Sequence, residues 1–155
     1  MGVQFSENDK AVRTSSFEAY WVASRNEISR FDYVYMLRDE LGIDDDFLAA
    51  VVALFDPGII KYQSGLFVEE NFTLRQYEES IENGTDPSKI PYWLNMVELT
   101  SFLGDVSYEY AVNVGEVVRC CWASKLEKTY PDSGFEARLL REEELGEVWV
   151  TLCKR

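Results

Sequence analysis

The chain has no histidine, and it has few cationic residues. Its 155 residues include 28 Asp and Glu against 15 Lys and Arg, which gives a formal net charge of −13. Without imidazole the chain lacks the side chain most used for acid–base catalysis and metal binding near neutral pH. The excess of acid argues against a surface for nucleic acids or anionic membranes. We therefore expect neither a nucleic-acid partner nor a membrane partner.

The chain also has few cysteines, and it has no long apolar run. Its three cysteines, Cys120, Cys121 and Cys153, form an odd number, and two of them are adjacent. With no secretory leader before them, they indicate reduced thiols and a cytoplasmic protein. The longest apolar stretches, such as 47–55, are far shorter than the roughly 20 residues that span a bilayer, so no transmembrane helix is expected.

What the chain does have is enough apolar material to fold. Hydrophobic residues make up 46% of the sequence and aromatic residues 14%. A chain of this length can bury roughly 70% of its unfolded surface around one core. The sequence therefore predicts one globular domain over 1–155, in which 1–14 form a loose N-terminal arm.

Helical patterns fill the first half of the chain. A capping-box spacing at Ser15–Glu18 predicts a helix from about 16 to 27. Apolar residues at three- and four-residue spacing predict a second helix over 31–41, which Gly42 ends. The run 47–55 predicts a third helix, and its composition indicates that it is the most buried of the helices.

Turn residues divide the centre of the chain. The pattern at 59–70 favours either a short hairpin or one strand and a loop. Further helices are predicted from Thr73 to about Asn83, and over 88–103 before Gly104. The longest helix is predicted over 107–129. Its buried stripe contains Tyr108, Ala111, Gly115, Val118, Trp122 and Leu126.

Alternating patterns near the C-terminus predict a β-hairpin over 135–141 and 147–154, after the turn at 131–134. Both of its faces are partly apolar, because Leu140 and Trp149 share the second face with charged residues. The expected class is α+β: a mostly helical N-terminal two-thirds, with about five helices, packed on a small antiparallel sheet that includes this hairpin.

Two clusters of acidic residues are the candidate binding sites. Asp44, Asp45 and Asp46 precede a helix, where free amides and the helix dipole favour negative charge, although hard cations also prefer carboxylates. Glu142, Glu143 and Glu144 lie where the C-terminal hairpin turns. They form either a solvated turn or a surface for a basic partner, and Trp149 is the aromatic residue expected to be partly exposed beside them.

No arrangement of residues predicts catalysis. Without histidine nothing obvious would deprotonate a cysteine, and no cofactor fingerprint or spaced set of metal ligands is present. We therefore assign no catalytic residue, metal or cofactor, and the sequence leans away from an enzyme.

The charge favours a small cytoplasmic protein that binds a basic protein partner, as immunity proteins, inhibitors and nucleic-acid mimics do. The expected contact residues are Glu142, Glu143, Glu144 and Trp149, and then Asp44, Asp45 and Asp46. Two alternatives remain open: a ligand-binding or carboxylate-based enzymatic α+β domain, and a structural module that forms homo-oligomers through its hairpin.

Overall fold

A computed structural model describes Phe17, Trp21, Val22 and residues 29–155. In this part of the chain, six α-helices and five β-strands follow one another. They are α1 (Arg30–Leu41), α2 (Asp45–Phe55), β1 (Ile59–Tyr62), β2 (Gly65–Val68), α3 (Leu74–Glu82), α4 (Ile90–Leu94), β3 (Val97–Glu98), α5 (Leu99–Leu103), α6 (Tyr108–Thr129), β4 (Phe135–Glu142) and β5 (Glu147–Lys154). The strands form two antiparallel sheets, β1–β2 and β3–β5–β4. The predicted α+β class with a C-terminal hairpin is confirmed.

The chain divides into two compact units, Met1–Leu48 and Ala49–Arg155. The single domain over 1–155 stays a prediction. The predicted arm over 1–14 lies outside the described residues, as does most of the helix predicted over 16–27.

Helix α1, in the first unit, begins and ends where the sequence indicates. Ser29 and Asp32 form a capping box: the Asp32 amide donates to Ser29 Oγ at 3.2 Å, and the Ser29 amide donates to Asp32 Oδ2 at 2.8 Å. The bonds from Ser29 lower the pKa of the Asp32 carboxyl. Gly42 ends the helix at φ 62°, a left-handed conformation that glycine adopts at little cost.

Helix α2 is not the most buried helix, so that prediction was wrong. Leu54 is 8% exposed, whereas Phe47 is 53% and Val52 63% exposed. The helix is apolar on all sides, so composition alone does not tell which side has a packing partner. Its C-terminal end has one, because Trp122 Nε1 donates to the Leu54 carbonyl at 2.7 Å.

The core of the second unit lies between α6 and the three-stranded sheet. The predicted stripe is confirmed: α6 buries Ala111, Gly115, Val118, Trp122 and Leu126, and Tyr108 is half-buried against the same core. A Cβ at Gly115 would lie 2.6 Å from Leu139 Cδ1 and 3.0 Å from Leu99 Cδ1. Glycine therefore allows the helix to approach the sheet closely. Ser107 caps the helix by accepting from the Tyr110 amide at 3.2 Å.

The single helix predicted over 88–103 is wrong, because two short helices and a strand occupy this segment: α4, β3 and α5. The cause is Asn95, which is fully buried after α4. Its Oδ1 accepts from the Val68 amide at 2.8 Å, and its Nδ2 donates to the carbonyls of Leu66 at 2.9 Å and Leu152 at 3.0 Å. The side chain thus joins both sheets, and the chain continues as β3 beside β5.

The other elements predicted for the second unit are confirmed. The segment at 59–70 forms the hairpin alternative, with Ile59 opposite Val68. Thr73 caps α3 by accepting from the Gln76 amide at 3.3 Å. In the C-terminal hairpin, β4 and β5 pair from Phe135 opposite Lys154 to Glu142 opposite Glu147.

Candidate functional site

The three-stranded sheet has one face against the core and one face directed away from it. The core face carries Phe135, Ala137, Val148, Val150 and Leu152, all buried. Since side chains alternate along a strand and directly paired residues share a face, the register assigns the second face. Its members are Glu98, Glu136, Arg138, Leu140, Glu142, Glu147, Trp149, Thr151 and Cys153.

One half of the second face is covered. Thr151 is fully buried and its Oγ1 donates to the Tyr92 carbonyl at 2.8 Å, so α4 lies over this end of β5. Cys153 is 4% exposed. Burial raises the pKa of its thiol, against the opposing effect of the Arg138 guanidinium. This half of the face is therefore structural.

The other half is open and has Trp149 at its centre. Trp149 lies in the middle strand, with Leu140 opposite it on β4 and Glu98 opposite it on β3. Glu142 and Glu147 form the next pair towards the turn. We call these five residues the Trp149 face. Trp149, Leu140, Glu98 and Glu147 are half-buried and Glu142 is exposed, so an indole and a leucine are accessible among three carboxylates.

One of these carboxylates, that of Glu98, is held in place by neighbouring structure. Glu98 Oε1 accepts from the hydroxyls of Ser101 at 2.7 Å and Thr100 at 3.2 Å, at the beginning of α5. The pairing of β5 with β4 assigns Glu147 to the same face. Preorganised charges can attract a cationic group without first being ordered themselves. The face is therefore suited to binding a partner that brings positive charge.

The nearest cation on the same face is Arg138, and it already has a partner. Its Nε lies 2.5 Å from Glu136 Oε1 on the same strand. The bond to Glu136 raises the pKa of the Arg138 guanidinium, which therefore stays charged. With Glu136 and Arg138 included, the second face carries four carboxylates and one guanidinium. The exposed Glu143 and Glu144 in the adjacent turn add to its negative potential.

The structure brings together the candidates that the sequence places in the hairpin. Glu142 and Trp149 share the Trp149 face, and Glu143 and Glu144 lie in the turn that connects β4 with β5. The expected partial exposure of Trp149 agrees with the structure. That these residues bind a partner stays a prediction.

The second cluster, Asp44, Asp45 and Asp46, has a local structural role. Asp44 Oδ1 accepts from the Phe47 amide at 2.8 Å, which is the bond of a helix N-cap. Asp45 and Asp46 lie exposed in the first turn of α2. This cluster belongs to the first unit and the Trp149 face to the second. A partner-binding role for Asp44–Asp46 stays a prediction.

Two members of the Trp149 face, Glu98 and Glu147, are not among the residues that the sequence indicated. Glu98 was not assigned to a strand, because the pattern at 88–103 predicts a helix. Strand β3 is only two residues long, which is too short to show an alternating pattern. The alternation of β5 could have indicated Glu147, since it lies two residues before Trp149 and therefore on the same face.

Elsewhere in the second unit, a cleft with a volume of ≈ 630 Å³ lies between the β1–β2 turn and the loop after α6. Its lining includes Lys61, Ser64, Tyr130, Asp132 and Ser133. Among the described residues, the buried polar side chains are Asn95 and Thr151. The same part of the chain contains no group of three His, Cys, Asp or Glu side chains that could hold a metal ion.

Comparisons of the chain with protein-family models, with curated proteins and with solved structures gave no match. Of the helices that the structure describes, none combines the length and the apolar character needed to cross a membrane.

Proposed function

We propose that this protein binds a basic protein partner through the Trp149 face. The observation that carries the proposal is the position of Trp149, half-buried in the middle strand and surrounded on its own face by Glu98, Glu142 and Glu147. A tryptophan or tyrosine in the middle of an interface, with charges around it, is the common pattern of a binding hot spot.

The two parts of the face would act at different stages of binding. The carboxylates would attract a cationic partner and raise its association rate, an effect that salt weakens. Trp149 and Leu140 would supply apolar area once the two surfaces dock. Arginine is the residue best suited to this face, because its guanidinium can stack on the indole while it bonds a carboxylate.

Such a protein would act by covering the basic surface of its partner. Immunity proteins, other inhibitors and nucleic-acid mimics act in this way. The net charge of −13 suits this role, since long-range attraction speeds the encounter of oppositely charged proteins.

The test is a parallel affinity capture from the lysate of the host cell, with three immobilised proteins. The first is the wild type, and the second is Glu142→Lys/Glu147→Lys, which reverses charge beside Trp149. The third is Glu78→Lys/Glu82→Lys, which makes the same change of charge on exposed positions of α3. Bound proteins are identified by mass spectrometry at low and moderate salt.

We expect one basic protein on the wild type and on the α3 variant, reduced at least tenfold on the Glu142/Glu147 variant. Its recovery should fall as salt rises. Equal recovery on all three would contradict the proposal, and so would the absence of any basic protein from the wild type. Circular dichroism of the three proteins checks that each one is folded.

A further inference from the structure

Strand β4 is an edge of the three-stranded sheet. The strand order is β3–β5–β4, and no other strand pairs with β4 among the described residues. β4 is eight residues long, which is longer than most proteins leave unprotected, because an open edge presents unpaired amides and carbonyls to other chains. A groove of ≈ 280 Å³ lies between its first residues and α6.

The hydrogen bonds determine which backbone groups point outwards. The Arg155 amide donates to the Gly134 carbonyl at 2.9 Å, in the same register that pairs Phe135 with Lys154. Hydrogen-bonded pairs alternate along an antiparallel ladder, so the even-numbered residues of β4 bond β5. The outward groups are therefore those of Ala137, Leu139 and Arg141. The amide of Phe135, another odd-numbered residue, also points outwards, and it donates to Ser133 Oγ at 3.2 Å.

A second copy of the chain could add to this edge by a two-fold axis perpendicular to the sheet. Such an axis pairs β4 with itself and keeps each side chain on its own face. The possible registers differ in the charges that they bring together. An axis at Arg138 or at Arg141 sets two arginines opposite each other, and an axis at Leu139 sets Glu136 opposite Glu142.

Of the registers that pair at least three residues of β4 with its copy, two avoid a clash of like charges between strand residues. An axis at Ala137 sets Arg138 opposite Glu136, but it leaves Leu140 and Glu142 without a partner strand. An axis at Leu140 sets Arg138 opposite Glu142 twice, and it sets Leu140 opposite its own copy. This register therefore places a second carboxylate beside Arg138, in addition to that of Glu136, and brings the two Leu140 side chains together on one face.

We infer that the chain forms a two-fold dimer in which β4 pairs antiparallel with β4 of a second copy, centred on Leu140. The Leu139–Arg141 pair occurs twice, and each occurrence exchanges two backbone bonds. On the second face, the two Leu140 side chains touch, with a Trp149 on either side. The two sheets become one six-stranded sheet. This dimer uses the edge of the sheet, so it does not depend on the proposed basic partner.

Charge exchange tests the register. The dimer is measured for the purified protein alone by size-exclusion chromatography with light scattering and by analytical ultracentrifugation. Glu142→Arg places Arg138 opposite an arginine and should shift the mass from two chains to one, with at least a tenfold weaker dimer. Adding Arg138→Glu restores opposite charges, so the double variant should regain the dimer. Glu78→Arg, on an exposed position of α3, makes the same change of net charge as Glu142→Arg and should leave the dimer intact.

A backbone change tests the edge itself. Arg141 is exposed and its amide points outwards, a position at which proline is tolerated in an edge strand. Arg141→Pro removes a donor of the interface and should yield one chain, whereas Arg141→Ala keeps the amide and should remain a dimer. Thermal melting followed by circular dichroism checks that both variants are folded.

Three results would overturn the inference. The first is a single-chain mass for the wild type up to its solubility limit, which would mean that the charges of β4 protect the edge. The second is a dimer that persists in both Glu142→Arg and Arg141→Pro. The third is a double variant that stays a single chain although it is folded, which would exclude the register at Leu140.

Discussion

Trp149 and Glu98 lie directly opposite each other on β5 and β3, and their side chains point to the same face of the sheet. The Arg155–Gly134 bond sets the alternation of the ladder, so the backbone groups of Trp149 bond β4 and those of Val150 face β3. Trp149 and Glu98 therefore form a pair of the non-hydrogen-bonded type, which brings side chains closest. An indole and a carboxylate in such a position make the Trp149 face both apolar and negative. This combination gives the face an electrostatic property that can be measured without a partner.

The first prediction concerns fluorescence quenching at this face. The negative potential should concentrate cations around Trp149 and exclude anions. The emission of Trp149 is the difference between the wild type and Trp149→Phe. This emission should be quenched more by caesium, and less by iodide, than the emission of free N-acetyltryptophanamide. The emission that Trp93→Phe removes is the comparison, since Trp93 is 59% exposed on α4. Added sodium chloride should reduce the preference, and stronger quenching of Trp149 by iodide would contradict the account.

The second prediction concerns Asn95. Asn95→Ala removes three buried bonds and leaves the Val68 amide and two carbonyls without these partners. Each unsatisfied buried group costs about 1–3 kcal/mol, so we expect the free energy of unfolding to fall by roughly 3 kcal/mol or more. Urea unfolding measures this, with Asn83→Ala at the exposed end of α3 as the control. A loss no larger than that of the control would mean that Asn95 does not hold the two sheets together.

The third prediction concerns the three cysteines. Cys120 is exposed, Cys121 is half-buried and Cys153 is buried. Only the thiolate reacts with iodoacetamide, and burial raises the pKa of Cys153. Mass spectrometry at mildly alkaline pH should therefore find Cys120 modified first, and Cys153 modified only in denaturant. Rapid modification of Cys153 in the folded protein would contradict the packing of α4 over β5.

The raised pKa of Cys153 also sets a direction for stability, which is the fourth prediction. As the pH rises above the ordinary thiol pKa, the unfolded chain loses this proton while the folded chain keeps it. The stability associated with Cys153 is therefore complete below that pH and declines above it. The free energy of unfolding should fall less between neutral and alkaline pH in Cys153→Ala than in the wild type. An equal or steeper fall in the variant would contradict this direction.

The sequence was informative where one local pattern determined the structure. The stripe of α6 and the alternation of β4 and β5 are regular over many residues, and both predictions are confirmed. The pattern at 88–103 was not sufficient, because the bonds that end α4 join Asn95 to Leu66 and Leu152, which are distant in sequence. For the same reason Glu98 could not be assigned to the candidate site, since its position depends on how β3 pairs with β5.

Helix α2 shows a second limit of the sequence. Its residues are as apolar as those of a buried helix, yet Phe47 and Val52 are exposed. Hydrophobicity measures the free energy that burial would gain, but it does not provide the surface against which a residue packs. The burial of a helix that is apolar on all sides therefore depends on the tertiary structure.

The most direct test of the proposed function is the affinity of the captured basic protein, once purified, for the wild type, Trp149→Ala and Trp93→Ala. Removal of a central aromatic anchor costs about 2 kcal/mol or more, which is roughly a 30-fold loss of affinity. We expect this loss for Trp149→Ala and less than a threefold change for Trp93→Ala, with both variants folded by circular dichroism. Wild-type affinity in Trp149→Ala would show that the partner binds elsewhere and would contradict the account.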